Sequence, residues 1–327
     1  MSVPYSRYLI YPIPWYSFLI VLGASLAVFL AVKEEKRSGI KKDTVIDLVL
    51  IMLPVGIIGA RIYYVVFSWP QFRDDFFSVF RIWEGGLAIY GGILAGLVVL
   101  ILFCKKRGLP TLLLCDIIVP GLALAQSIGR WGNYFNMEAY GFTITDPRFC
   151  FFPFAVQIPA DGYAWHLATF FYESLWDFSI FLFLVVFRRK YHKLKQGDLF
   201  FFYAFLYAAG RLAIEEMRLD SLYAVSSVRI SQLLSVIICL LIIIYYLIKA
   251  KNSKIIMHSC LIWITASGML LAFLLLFSLA PSLFIGFSRQ HNVFSLLICS
   301  FLLVFFFFRF YLLYSCIRGV NYADNEN

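Results

Sequence analysis

Apolar residues fall in long blocks along this chain, separated by short polar stretches. Blocks of about 20 apolar residues are long enough to cross a bilayer as helices. Nine are read, over 16–33, 45–68, 86–104, 112–129, 169–187, 198–215, 229–248, 256–278 and 292–314. The strands of a membrane barrel would alternate polar and apolar over about ten residues between turns, and that pattern is missing. A backbone in lipid satisfies its hydrogen bonds within its own segment, so the blocks predict helices. The expected fold is an all-α polytopic membrane protein.

The polar stretches set the orientation. Four short loops are strongly basic: "KEEKRSGIKK" (33–42), "KKR" (105–107), "RRKYHKLK" (188–195) and "KAKNSK" (249–254). They follow the first, third, fifth and seventh spans, always on one side. The positive-inside rule makes that side cytoplasmic, with the N-terminus outside and the C-terminus inside. The basic cluster of the first span follows its apolar stretch and no small-residue cleavage site comes after it, so it is read as a retained span. Composition agrees, at 62% hydrophobic and 14% charged residues. Soluble proteins carry roughly 45–50% and about 25%, and no soluble fold of this length could bury the difference.

The net charge of +9 would suit nucleic acid, but it splits by residue type. All twelve lysines lie in the four basic loops, where they meet an anionic inner leaflet. Ten arginines, at positions 7, 61, 73, 81, 130, 148, 211, 218, 229 and 289, belong to the outer half. Guanidinium is planar, always charged and a forked donor, which suits phosphate and tolerates partial burial. The partition marks a topology and a phospholipid site, with no nucleic-acid partner. Seven cysteines are scattered without zinc or disulfide spacing, and Cys150 lies in the longest external loop.

Polar residues near spans are the informative ones, because lipid penalises them. The densest group is "SIGRWGNYFNMEAYG" (127–141), which places Arg130, Asn133, Asn136 and Glu138 among glycines that include Gly141. The plain alternative is an interfacial helix end with a snorkelling arginine. "YAAGRLAIEEMRLD" (207–220) sets Tyr207, Arg211, Glu215 and Arg218 on one helical face. That face suits a structural ion-pair ladder on its own, and its two arginines would also suit a phosphate. "WEGGLAIYGGILAG" (83–96) is bare enough for close helix packing or for substrate contact. Arg61 in "GIIGARIYY", Tyr16 in "PIPWYSF" and Glu173 in "WHLATFFYES" complete the outer set. Arginines and acids gathered at one depth can bind an anionic headgroup and stabilise charge on a leaving phosphate. No histidine cluster, paired-aspartate motif, phosphate loop or serine elbow is present, so no metal or cofactor is expected.

"GRWGNYFNMEAYG" resembles the signature of the bacterial prolipoprotein diacylglyceryl transferases, a Gly-Arg-x-Gly-Asn-aromatic-x-Asn-x-Glu pattern. "PWYSF", "GARIYYVVF", "WEGGLAIYGG", "CDIIVPGLALAQSIGR", "TFFYESLWD", "GRLAIEEMRLD" and "RISQLLS" agree in the same order, over about residues 10–250. The resemblance implies seven family-like helices in a domain of residues 1–250, with an external loop near 130–168. Residues 251–327 then form a C-terminal extension with two further spans. It also implies a transferase of the bacterial cytoplasmic membrane, working at the outer leaflet in lipoprotein biosynthesis. Such enzymes move the diacylglyceryl group of phosphatidylglycerol to the lipobox cysteine of a prolipoprotein signal peptide. A thioether forms and glycerol phosphate leaves. Carried onto this chain, Arg130, Arg211, Tyr90, Glu138 and Glu215 are the expected catalytic residues. Phosphatidylglycerol would be held by Arg130, Asn133, Asn136, Tyr16, Arg61, Tyr207 and Gly141, supported by Glu173, Arg218 and Gln232.

Three features depart from the family. Many members carry His-Gly-Gly where this chain has Tyr90 in "IYGG", and a phenol is a poor base at neutral pH. The thiol proton then falls to Glu138, Glu215 or water. His166 in "WHLATFFYE" is displaced by one residue from the family's histidine. The last two spans exceed the usual seven. A transporter for an anionic solute is the rival class, although no internal repeat of paired broken helices appears. A non-catalytic scaffold would not need Arg, Asn and Glu at this density.

Overall fold

The computed structural model describes residues 6–73, 75–191, 194–219, 223–225, 228–251, 268–269 and 300–312. Among them are seven long helices: α1 (Trp15–Arg37), α2 (Thr44–Phe67), α3 (Ile89–Arg107), α4 (Thr111–Asn136), α5 (Thr169–Lys190), α6 (Asp198–Met217) and α7 (Ile230–Lys251). A shorter apolar helix, α8, covers Ser300–Leu312. All but α6 of the seven are long and apolar enough to cross a membrane. α6 carries more charge, yet its 20 residues still reach about 30 Å, the depth of the hydrocarbon core. Leu50, Ile62, Val66, Leu94 and Leu102 stand exposed on α2 and α3. Water would not tolerate such faces, whereas lipid solvates them. The predicted span at 256–278, apart from residues 268–269, lies outside the described residues, as do Arg289 and His291.

α4 runs further than its apolar block. The block stops at residue 129, but the helix continues to Asn136 and ends where Met137 takes a left-handed φ of 55°. Arg130, Asn133 and Asn136 are therefore helical, and residues 137–168 form the connection to α5. This connection holds an antiparallel hairpin of β1 (Ala155–Ile158) and β2 (Ala164–Leu167). An aromatic cluster of Trp131, Tyr134, Phe135, Phe170 and Phe171 packs against Val156 and Ile158 and anchors the hairpin to the ends of α4 and α5.

The chain divides into two compact units, Ala24–Leu122 and Met1–Gly23 with Ala123–Asn327. In the first, α2 and α3 pack through glycine. A Cβ on Gly59 would meet the Gly91 carbonyl at 2.9 Å, and one on Gly91 would strike the backbone of Gly59 and Ala60. Dispersion is the available attraction between helices in lipid, and it needs such close approach. The glycines of "IYGG" thus serve helix packing. Glu35 caps α2 in the same unit, accepting from the backbone N–H groups of Asp43 (2.8 Å) and Val45 (2.6 Å). A carboxylate there suits the positive end of the helix dipole.

In the second unit, α5, α6 and α7 pack in sequence and α8 joins them. Phe205 stacks on Phe307 with ring centroids 3.8 Å apart. Asp198, the first residue of α6, accepts hydrogen bonds from Tyr246 of α7 (2.9 Å) and Tyr311 of α8 (2.7 Å). Phe187 lies beside Phe308 and Tyr311, while Phe202 meets Tyr311 and Phe205 meets Phe307. α8 therefore runs parallel to α5 and antiparallel to α6.

Candidate active site

Glu173 and Asp177 stand four residues apart on α5, so they share a helix face. Both are buried, and three arginines converge on them. Arg130 of α4 reaches Glu173 at 2.8 Å and Asp177 at 3.9 Å. Arg211 of α6 pairs with Glu173 and, at 2.6 Å, with Glu215 one turn on in its own helix. Arg218, the cap of α6, reaches Glu173 at 3.2 Å. Glu173 is thus the shared acceptor of three guanidinium groups. The carboxylate side chains are 3–4% exposed, while those of Arg130, Arg211 and Arg218 are 20%, 18% and 12% exposed. The acids lie beneath and the arginines present an edge above.

The cluster surrounds a cavity of about 10 Å³ lined by Arg130, Glu173, Asp177, Tyr207 and Arg211. That is room for about one water, so an anion would meet the outer guanidinium edges rather than enter between the ion pairs. Beneath Tyr207, Tyr203 donates to Gln126 at 2.8 Å. This ties α6 to α4 below the arginines.

A second polar network closes the end of α4. Asn133 and Asn136 both donate to Glu138 Oε1, at 2.8 and 3.2 Å. The chain turns back to allow this, with the Glu138 N–H bonded to the Asn133 carbonyl at 3.0 Å. Arg7 donates to Asn136 at 3.2 Å, drawing the segment before α1 into the network. Tyr16 lies in the electrostatic field of both Glu138 and Arg130. Its ring occupies the space beside Gly132, where a Cβ would come within 2.6 Å of Tyr16 Cδ2. Glu138 is exposed, and neutral amides hold its carboxylate.

The remaining expected residues have other surroundings. Gly141 is buried and bonded through its backbone, its N–H to the Leu167 carbonyl at 2.9 Å. It also forms a bridge with Arg218, so it fixes the loop beside α6. His166 is buried on β2, bonded to the Gly141 carbonyl at 2.9 Å and to Asp161 at 2.8 Å. Gln232 of α7 donates to Glu216 at 3.3 Å, beside Arg229, which reaches Glu216 at 3.0 Å.

Arg61 and Tyr90 belong to the other unit. Arg61 is an expected headgroup contact, but its guanidinium donates to the carbonyls of Ser78, Val79, Arg81, Gly85 and Gly86 at 2.7–3.3 Å. Those donors are committed to the glycine-rich loop, and the group also lies 5.2 Å from the Phe72 ring. Tyr90 is exposed on the first turn of α3. Among the described residues, no three His, Cys, Asp or Glu side chains form a metal-holding group.

A family model described as prolipoprotein diacylglyceryl transferase matches residues 7–248. The chain belongs to this transferase family. Among its relatives, the phosphatidylglycerol–prolipoprotein diacylglyceryl transferase of Streptococcus suis (strain 05ZYH33) is 44% identical over 243 residues, covering 74% of this chain and 90% of that protein. The enzyme of the same name from Streptococcus mutans serotype c is 42% identical over 248 residues, covering 76% and 95%. That from Streptococcus equi subsp. equi (strain 4047) is 42% identical over 240 residues, covering 73% and 92%.

Within this family member the ion-pair cluster lies inside the matched region and α8 lies beyond it. Three participants were not singled out as site residues in the sequence. Asp177 lies one turn after Glu173 at the start of an apolar run, a signal that the cost of intramembrane charge supplies. Arg7 precedes the first span, where its tie to Asn136 leaves no local pattern. Glu216 adjoins Glu215, and only the packing of α7 gives it separate partners.

Proposed function

We propose that this chain transfers the diacylglyceryl group of phosphatidylglycerol to the thiol of a prolipoprotein's lipobox cysteine, in the outer leaflet of a bacterial cytoplasmic membrane. Family membership supplies the reaction. The observation that supports the site is the row of part-exposed arginine edges on buried carboxylates, within the segments that carry the family resemblance. Arg130 and Arg211 bind the phosphate and offset the charge of the leaving group. Asn133, Asn136, Tyr16 and Tyr207 orient the headgroup beside them. Glu173, Arg218 and Gln232 hold the arginines and the helices that carry them, while Gly141 and Arg61 shape loops.

The cysteine sulfur attacks the glyceryl carbon that carries the phosphate. A carbon–sulfur bond forms, the carbon–oxygen bond breaks, and its electron pair leaves with glycerol phosphate. The thiol proton needs an acceptor. Glu215 is buried and clamped by Arg211, and Tyr90 is a phenol. Glu138 is exposed, held by amides and within the field of Tyr16, so we assign it that proton. The protein otherwise contributes proximity and charge stabilisation.

The test is transfer by purified protein in phosphatidylglycerol vesicles with a lipobox peptide, read as peptide mass gain and glycerol phosphate release. Removing one aimed charge donor costs about 3–4 kcal/mol in comparable sites. Arg130→Ala and Arg211→Ala should therefore lose transfer by about two to three orders of magnitude while still inserting. Wild-type rates from Arg130→Ala protein would sink the assignment. Anion flux without glycerol phosphate release would favour a transporter.

A further inference from the structure

An apolar groove of about 340 Å³ lies between α5, α6 and α8, lined by Trp176, Phe183, Leu206, Phe301, Val304 and Phe308 among others. Ser179 is the one polar side chain among its described lining. Trp176 also lines the small cavity inside the arginine cluster, so its indole is a wall shared by the polar site and the groove. The wall is fixed. Trp176 donates to the Leu206 carbonyl at 3.0 Å, and its ring fills the space at Gly210, where any Cβ would collide with it.

From Trp176 the groove continues along α5 past Ile180 to Phe183, about 10 Å at the rise of an α-helix. It leads away from the Arg130–Glu173–Arg211 cluster, toward the cytoplasmic ends of α5 and α6 in the proposed orientation. A lipid whose phosphate meets those arginines in the outer leaflet points its tails in that direction. We propose that the groove seats an acyl chain of the phosphatidylglycerol donor. One wall of this subsite comes from α8, a helix beyond the residues the family shares. The proposal rests on the donor named above and assigns the C-terminal extension a role in holding it.

A tail in a bilayer is already in apolar surroundings, so the groove gains nothing from water exclusion. Its contribution is close packing and a fixed position for the glyceryl carbon. Blocking it should therefore act on the apparent KM for long-chain donor by about three- to tenfold.

The full chain is purified and given phosphatidylglycerol carrying a mid-chain diazirine, with phosphatidylcholine bearing the same tail as the comparison. After irradiation, cross-linked peptides are mapped. The phosphatidylglycerol probe should mark the α8 segment around Val304 and Phe308 in preference to the choline lipid. Val304→Trp, or the milder Ser179→Leu, should abolish that mark and raise KM for dioleoyl donor. Transfer from a dihexanoyl donor should stay unchanged, which also reports that the variant is folded. Equal labelling by both lipids would make the groove a bulk-lipid contact and overturn the proposal, as would unchanged KM in both variants. Labelling of the groove by phosphatidylglycerol without any transfer by wild-type protein would support the subsite and sink the proposed reaction instead.

Discussion

Replacing Glu173 by glutamine removes the carboxylate that three arginines share. In the described contacts Arg130, Arg211 and Arg218 converge on Glu173, with Asp177 and Glu215 beside it. In the variant those three guanidinium groups lose their shared counter-charge at a position 4% exposed. Unit charges about 4 Å apart attract by about 4 kcal/mol at an effective dielectric of 20, and Glu173 serves three such pairs. Most of that gross attraction offsets desolvation. Breaking a buried pair from one side costs about 3–5 kcal/mol, and the low end applies because the arginine edges can rehydrate and glutamine still accepts a hydrogen bond. Glu173→Gln should therefore lose about 3 kcal/mol, read as earlier thermal loss of the monodisperse peak in detergent. Transfer should also slow as Arg130 and Arg211 lose their shared support. Adding Arg218→Gln removes one of the cations left without that acceptor, and it should recover part of both losses as a favourable coupling. A double variant no more stable than Glu173→Gln, or a single variant that melts and transfers like wild type, would refute the shared-acceptor argument.

Three further outcomes follow from the same contacts. Arg61→Lys keeps the charge but cannot fork onto five carbonyls, so it should lower thermal stability without raising the KM for phosphatidylglycerol; a KM effect alone would return Arg61 to the headgroup. Gly91→Val should force α2 from α3 at an overpacking cost of about 1–3 kcal/mol or more, measurable as reduced yield of inserted, monodisperse protein. Tyr311→Phe removes one donor to the buried Asp198 carboxylate, a loss of about 1–3 kcal/mol, and should loosen α8. Faster protease cleavage between α7 and α8 would register that change, and wild-type resistance would count against the anchor.

The described helices were legible in the sequence because lipid makes hydropathy nearly sufficient, and Arg130 and Arg211 stood out as candidates because charge near a span demands a reason. It did less well where the reason was a distant partner. The pattern from Tyr207 to Arg218 suggests a ladder along one helix. Arg211 does pair with Glu215, but Arg218 turns to Glu173 on α5, a partner that spacing within α6 cannot name. The end of α4 was hidden for a related cause. Hydropathy drops at Arg130, yet the helix persists because Arg130 is paired with acids and Asn133 and Asn136 with Glu138.

Arginine identity therefore carried less information than arginine environment. Arg61 and Arg130 read alike in sequence, each beside glycines near an outer span end. In three dimensions one is committed to carbonyl oxygens and the other to carboxylates. Carbonyls take up the guanidinium fork and leave its charge unbalanced, which suits a loop in a polar interface. Carboxylates neutralise the charge and allow it to sit at membrane depth with an edge exposed. Only the second arrangement can hold several arginines close together before an anion arrives, and Glu173 brings that arrangement about. A residue that sequence places in a supporting role is the one on which the proposed phosphate site depends.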